Sequence, residues 1–268
     1  MKSELQNKLL EMLKWIVNYI EKHNLTYYVI SGTMLGAARH SGFIPWDDDV
    51  DIAMPRKDYE ILINLLKTPV SHYYVESPST GKKDYVYGFA KFYDLETTLV
   101  EKLHKPVKRG IYIDIFPLDG IGNNEKEARR NYKKIDKINM LLTMKTARVR
   151  KGRKLWKNIA AIIGKLIPLN ANKLAKKLDA ECSKMNYDEC RYVGSLMSTY
   201  RAKEIIKKAV YGKPTVYCFE ELNVFGPEKC EEYLTKLFGD WKKLPPIEKR
   251  HSPHDFADIN FSKPFGEE

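Results

Sequence analysis

Apolar residues at Leu5, Leu9, Met12, Leu13, Ile16, Val17 and Ile20 recur every three to four positions, which predicts an amphipathic helix at the start of the chain. The period then shortens. TYYVIS (26–31) is aromatic and β-branched and predicts a strand. It stops at Gly32, and TMLGAARH continues as a helix with Thr33 near its start. Past the turn SGFIPW, the segment VDIAM (50–54) predicts a short strand, and Pro55 opens a helix over RKDYEILINLLK, at a position where proline is tolerated. Between 72 and 119 the pattern breaks into short strands, YYVES, YGFAKFYD, TTLVE and IYIDIF, separated by glycine and proline. From 123 to about 186 it is helical throughout, with an apolar stripe at Leu155, Trp156, Ile159, Ile162, Ile163, Leu166 and Ile167. TVYCFEELNVF (215–225) predicts a late strand pair, and PEKCEEYLTKLFG a helix from Pro227 to a capping Gly239. The sum is an α+β fold: a mixed β-sheet flanked by helices, with an additional basic helical portion that packs back.

Composition bounds this picture without changing it. The 268 residues, 43% hydrophobic and 12% aromatic, can bury a sizeable core and argue against long disorder. The expected division is a sheet-containing core over 1–122 and a mostly helical portion over 123–268 that completes the site. The first segment lacks the apolar core and cleavage site of a signal peptide, and no window approaches the ~18 apolar residues of a membrane span. Cys182, Cys190, Cys218 and Cys230 form no CxxC pair and read as reduced packing residues. A cytoplasmic location is expected. Charge does change the picture, because the net of +11 is unevenly spread. Residues 126–177 hold seventeen Lys and Arg against Glu127 and Asp136, a net of +15, so the remainder sums to −4. Such a region expects something anionic: nucleic acid, acidic lipid or a polyanionic substrate.

The candidate chemistry lies in GFIPWDDDVDIAM (42–54), which places four aspartates in five positions. On a strand, side chains two apart share a face, so Asp49 and Asp51 project together while Val50 turns inward. Asp47 is one alternate step back, and Asp48 points away as a bystander. Two carboxylates on one face suit a hard divalent cation such as Mg²⁺, with Mn²⁺ as the alternative. A solvated acidic turn without an ion fits poorly with the apolar Ile44, Trp46, Ile52 and Met54 around it. In IYIDIFPLDG, Asp114 sits between isoleucines, where an unpaired carboxylate is costly to bury. It therefore neighbours the cation, has a raised pKa, or pairs with Arg109 or another basic residue. Asp119 is expected to cap a turn. In ISGTMLGAARH, strand, glycine, hydroxyl residue and helix start present backbone N–H groups to an anion.

The order of these elements, Gly with Ser or Thr, then Asp-x-Asp, then a lone strand acid, is similar to that of the nucleotidyltransferase-fold superfamily. Within it, SGTMLGAARHSGFIPWDDDVDIAMPRKDYE resembles the hallmark of the LicD family, and KFYD (91–94), IYIDIFPLDG and FGDWKKLPPIEKRH extend the resemblance. The resemblance implies metal binding by Asp49 and Asp51 with Asp47, and a catalytic acid at Asp114 that also serves the metal site. It implies substrate contacts near Gly32, Thr33, Arg39 and His40. Lys91 would neutralise a donor diphosphate, against the alternative of a surface lysine, and His251 would contact nucleotide or sit on a surface turn. The implied reaction moves phosphocholine from CDP-choline to a sugar hydroxyl of a lipid-linked teichoic acid precursor or similar glycan and releases CMP. Trp46 and the tyrosines of YVYGF are candidates to hold the choline cation by their ring faces. The 126–177 segment would then either touch anionic membrane or pack on the core with solvated lysines. Ribitol phosphate transfer, nucleotidyl transfer to a small molecule, and a nucleic-acid-binding module are the competing readings. The last is disfavoured because clustered aspartates repel phosphates.

Overall fold

The computed structural model describes residues 2–152, 154–252, 254 and 256–266. Helix α1 (Glu4–Lys22) is started by a capping box: the Gln6 amide N–H donates to Ser3 Oγ at 3.1 Å, and the Ser3 amide donates to Gln6 Oε1 at 3.0 Å. These two bonds satisfy donors that the first turn leaves free. The predicted strand at 26–31 shrinks to β1 (Tyr28–Val29). Ser31 turns into the left-handed region at φ 51° and its amide donates to the buried Tyr233 hydroxyl, so α2 (Ser31–His40) begins before Gly32.

The chain continues through β2 (Asp51–Pro55), α3 (Arg56–Leu66), β3 (Tyr73–Glu76), β4 (Ala90–Asp94), β5 (Thr98–Glu101), β6 (Val107–Arg109) and β7 (Tyr112–Gly122). The main sheet is ordered β1-β2-β7-β4-β3. Strands β2 and β7 run parallel and β4 is antiparallel to β7, so the sheet is mixed as expected. Strand β7 is fully apolar apart from Asp114 and Asp119 because both its flanks and both its faces are covered.

The helical stretch is three helices, α4 (Glu125–Thr146), α5 (Leu155–Leu166) and α6 (Ala171–Cys182). The breaks between them correct the prediction of continuous helix; Pro168 lies in the second break, where a proline ends helical hydrogen bonding. Beyond them come β8 (Tyr192–Gly194), β9 (Ile206–Lys207), α7 (Lys208–Tyr211), the hairpin β10 (Thr215–Phe219) with β11 (Leu222–Gly226), α8 (Cys230–Phe238) and β12 (Phe256–Asn260). Strand β8 pairs with the far end of β7 and β12 pairs with β5. The hairpin and α8 match the sequence reading. Strands β6, β8, β9 and β12 do not appear in it, since each is five residues or fewer and is fixed by a partner distant in sequence.

One core joins Leu9, Leu13 and Ile16 of α1 to Ile52 of β2, Ile113 and Ile115 of β7, and Leu234 and Leu237 of α8. A second lies under α4 and α6, around Tyr132, Ile135, Ile138, Leu174 and Leu178. The C-terminal third thus contributes to the same core as the first strands, which brings its loops over the sheet.

Candidate active site

Alternation along 47–51 holds. Asp47, Asp49 and Asp51 line one cavity, whereas Val50 is fully buried beneath them. Three anchors set the loop. The Gln6 side-chain amide donates to the Asp47 carbonyl at 2.8 Å. The Thr33 hydroxyl accepts the Asp51 amide at 2.8 Å. Asp47 Oδ2 occupies space 2.7 Å from where a Cβ on residue 32 would stand, so any side chain larger than that of Gly32 would displace the carboxylate.

The tertiary register supplies the partner. Asp51 of β2 is directly opposite Asp114 of β7, and Asp114 is directly opposite Lys91 of β4. A row Lys91–Asp114–Asp51 therefore crosses three neighbouring strands on one face. Lys91 Nζ donates to Asp114 Oδ1 at 2.7 Å, lies 3.6 Å from Glu101, and sits 3.3 Å from the Tyr112 ring centroid. It is buried behind Asp114 and does not reach the cavity wall. Arg109, the other partner considered for Asp114, is bound instead to Glu76 and Asp84 at 2.8 Å each.

The electrostatics are those of too many acids for the cations present. Burial, with Asp49 next, pushes Asp47 up to about 8. Burial and the charges of Asp49, Asp114 and Asp47 hold Asp51 well above the ordinary carboxylate range. Burial raises Asp114 to about 6, and Lys91 keeps it from going higher. Asp48 behaves differently: its burial is overcome by hydrogen bonds from His254 and Ser252, and its pKa falls. His254 Nδ1 lies 2.6 Å from Asp48 Oδ1 and its Nε2 3.5 Å from Asp49 Oδ2. Burial works against the imidazolium, yet Asp48 and Asp49 lift it to about 9. Asp48 is therefore no bystander, because it fastens the C-terminal segment beside the other three aspartates.

Whether these acids suit a divalent cation can be judged from the donors. Among the described residues, no three of these acids bring an oxygen each within 4.8 Å of one another; His72, Asp94 and Glu96 are the residues whose ligand atoms, a ring nitrogen and two carboxylate oxygens, come that close. That second group is already served by Lys8, whose Nζ is 2.6 Å from Asp94. At the aspartate site the charge is under-compensated but the cage is open. An open set of one or two carboxylates that leaves positions for water and phosphate oxygens suits Mg²⁺ better than Ca²⁺, which takes six to eight protein-rich ligands.

The cavity measures about 860 Å³. Besides the four aspartates it is lined by the basic and aromatic residues Arg39, Trp46, Trp241, Lys243, Lys249, His251 and His254, and by Ser198, Thr199 and Tyr200. Of the residues singled out from sequence, Gly32, Arg39, Trp46, Asp47, Asp49, Asp51, Asp114 and His251 line it. Thr33 is buried and acts on Asp51 from below. His40 lies edge-on to Trp46, outside the lining. Of YVYGF, only Phe89 reaches the wall. Asp119 caps no turn: it is fully buried and gripped by Arg56 through two bonds of 2.7 Å. Sequence reasoning missed Lys243, Lys249 and His254, although the close run of lysines and histidines after α8 was a visible signal.

A mixed sheet carrying paired aspartates on adjacent parallel strands, with a third and fourth acid in the same cavity, is the arrangement of a nucleotidyltransferase-type domain. Residues 24–142 match the family profile described as LicD/FKTN/FKRP, nucleotidyltransferase domain, and this stretch is a LicD-family domain. The chain is 29% identical over 265 residues to the lipopolysaccharide cholinephosphotransferase LicD of Haemophilus influenzae, covering 94% of each chain. A stretch of 50 residues is 40% identical to the human ribitol 5-phosphate transferase FKRP, covering 19% of this chain and 10% of that one.

Proposed function

We propose that the protein is a phosphocholine transferase, which moves the phospho-alcohol of CDP-choline to a sugar hydroxyl of a teichoic acid or similar cell-surface glycan precursor and releases CMP. The observation that carries this reading is the Asp51–Asp114 register pair, opening with Asp47 and Asp49 into a cavity that Arg39, Lys243 and Lys249 also line. The full-length similarity to a cholinephosphotransferase favours choline over other alcohols.

Asp49 and Asp51, with Asp47 in support, would hold Mg²⁺, which when bound offsets charge on the donor's phosphate oxygens. The chain's own groups account for the rest. Asp114, raised to about 6 and with Oδ1 fixed by Lys91, accepts the proton of the acceptor hydroxyl through its other oxygen. A base with a pKa near the working pH is the effective kind. The acceptor oxygen forms its bond to the phosphorus bearing choline as the bond from that phosphorus to the CMP oxygen breaks. The electron pair leaves on CMP, where Arg39, Lys243 and Lys249 face the added charge. Trp46 offers a ring face to the quaternary ammonium; Arg250 already lies 5.6 Å from its centroid.

The short match to a ribitol 5-phosphate transferase supports a second donor, CDP-ribitol. The test is purified protein with Mg²⁺, a glycan acceptor and either donor, read by CMP release and by the mass of the glycan. Gain of phosphocholine with free CMP, abolished by EDTA, is expected. Gain of ribitol phosphate would move the assignment to the second donor, and a product that retains the nucleotide would overturn both.

A further inference from the structure

Helix α5 is packed the wrong way round for a surface helix. Leu155, Trp156, Ile159, Ile162, Ile163 and Leu166 are 46% to 79% exposed. At 3.6 residues per turn they fall within one arc of about 120°. The buried side is small: Ala161 is 1% exposed, and Gly164 meets α4 so closely that any side chain there would strike the Met144 carbonyl. The helix therefore docks through its small residues and turns its large apolar ones outward. An apolar stripe of this extent on a soluble surface marks a binding face.

The surroundings name the occupant. Lys151, Lys154, Lys157 and Lys165 flank the stripe along the chain. At its C-terminal end a cavity of about 690 Å³ is lined by Lys83, His104, Lys105, Lys145 and Lys165. A second copy of the chain would bring two such basic rims together, and like charges repel. A neutral apolar partner would leave the lysines unanswered. No described helix is long and apolar enough to cross a membrane, and α5, with 12 residues, spans only about 18 Å against the ~30 Å hydrocarbon core. We propose that α5 lies in the plane of an anionic bilayer, its apolar arc among the upper acyl chains and its lysines and the adjoining basic cavity on lipid phosphates. Amphipathic interfacial helices combine these two attractions.

The test uses the full chain and reads binding alone, so it stands apart from the reaction assigned above. Vesicles of phosphatidylcholine with and without about one third phosphatidylglycerol are floated with the protein. Binding to the anionic vesicles that weakens with salt is expected. It should fall at least tenfold in the Ile159→Glu/Ile163→Glu variant, and about fivefold for each of Lys154→Gln and Lys157→Gln. Circular dichroism and the melting temperature check that each variant is folded; should the double variant fail to fold, Trp156→Ala takes its place. Wild-type protein that remains with the lipid-free fraction would overturn the proposal, as would undiminished binding by a folded apolar-face variant. A wild-type dimer in analytical ultracentrifugation that the variant abolishes would overturn it too, by assigning the face to a second copy.

Discussion

Strand β7 carries two aspartates five residues apart, and their surroundings are opposite. Asp119 is matched: Arg56 grips both its oxygens at 2.7 Å and holds Asp179 at 2.8 Å with its remaining nitrogen, tying α3, β7 and α6 together. Asp114 is under-matched: its lysine is shared with Glu101, while Asp47, Asp49 and Asp51 share its cavity and His254 lies 3.5 Å from Asp49. A carboxylate neutralised by a bidentate arginine has nothing left to bind, so it serves the fold. A carboxylate group left short of positive charge holds binding capacity in reserve, at the expense of stability. Glu204 shows the third outcome. It is fully buried, neither of its carboxylate oxygens has a hydrogen-bond partner among the described residues, and burial pushes its pKa up to about 8. Burial thus favours its neutral form.

This contrast can be broken most sharply at the under-matched site. Asp49→Asn is expected to lower transfer on the order of 10³-fold, the kinetic equivalent of several kcal/mol of charge stabilisation. The same change relieves repulsion among Asp47, Asp49 and Asp51, so the melting temperature should hold or rise. Retained activity would sink the assignment of Asp49, and a lower melting temperature would place it with the structural acids.

At the matched site the expectation inverts. Arg56→Met leaves Asp119 buried without its cation and should destabilise the fold by about 3–5 kcal/mol, measured by urea unfolding. Protein that remains folded should keep the aspartate cavity and its ligand affinity. A loss below about 1 kcal/mol would mean that Asp119 protonates or finds water, and the distinction between the two sites would blur.

The effect at Glu204 touches no step of the transfer and is read against pH. Its folded-state pKa of about 8 lies above the ordinary 4.5, so the fold favours the protonated form. Its contribution to stability is full below about pH 4.5 and is lost as pH rises through about 8. Glu204→Gln should remove that limb. The variant should gain on the wild type, by at most a few kcal/mol, as pH climbs across this window. Parallel stability curves for the two proteins would show that Glu204 is not held neutral.

Much of this was legible in the residues themselves. Apolar spacing set out α1, the late hairpin and α8, and two-residue alternation picked Asp47, Asp49 and Asp51 as one face with Val50 inward, because backbone period alone decides which side chains point together. The composition of 126–177 flagged its charge. What lay beyond reach was every pairing between distant segments. Asp48 is held by His254 across two hundred residues of chain, and Asp119 by Arg56 across 63. No local pattern distinguishes a carboxylate that will meet an arginine from one that will not. Only the parallel register of β2 on β7 made Asp51 and Asp114 neighbours, and only the packing of α5 by its small face left Trp156 and its companions uncovered. The sequence by itself determined which groups could act together along each element; the tertiary structure decided which charges were neutralised and which stayed open, because burial and proximity, not residue type, set the energy of a charge.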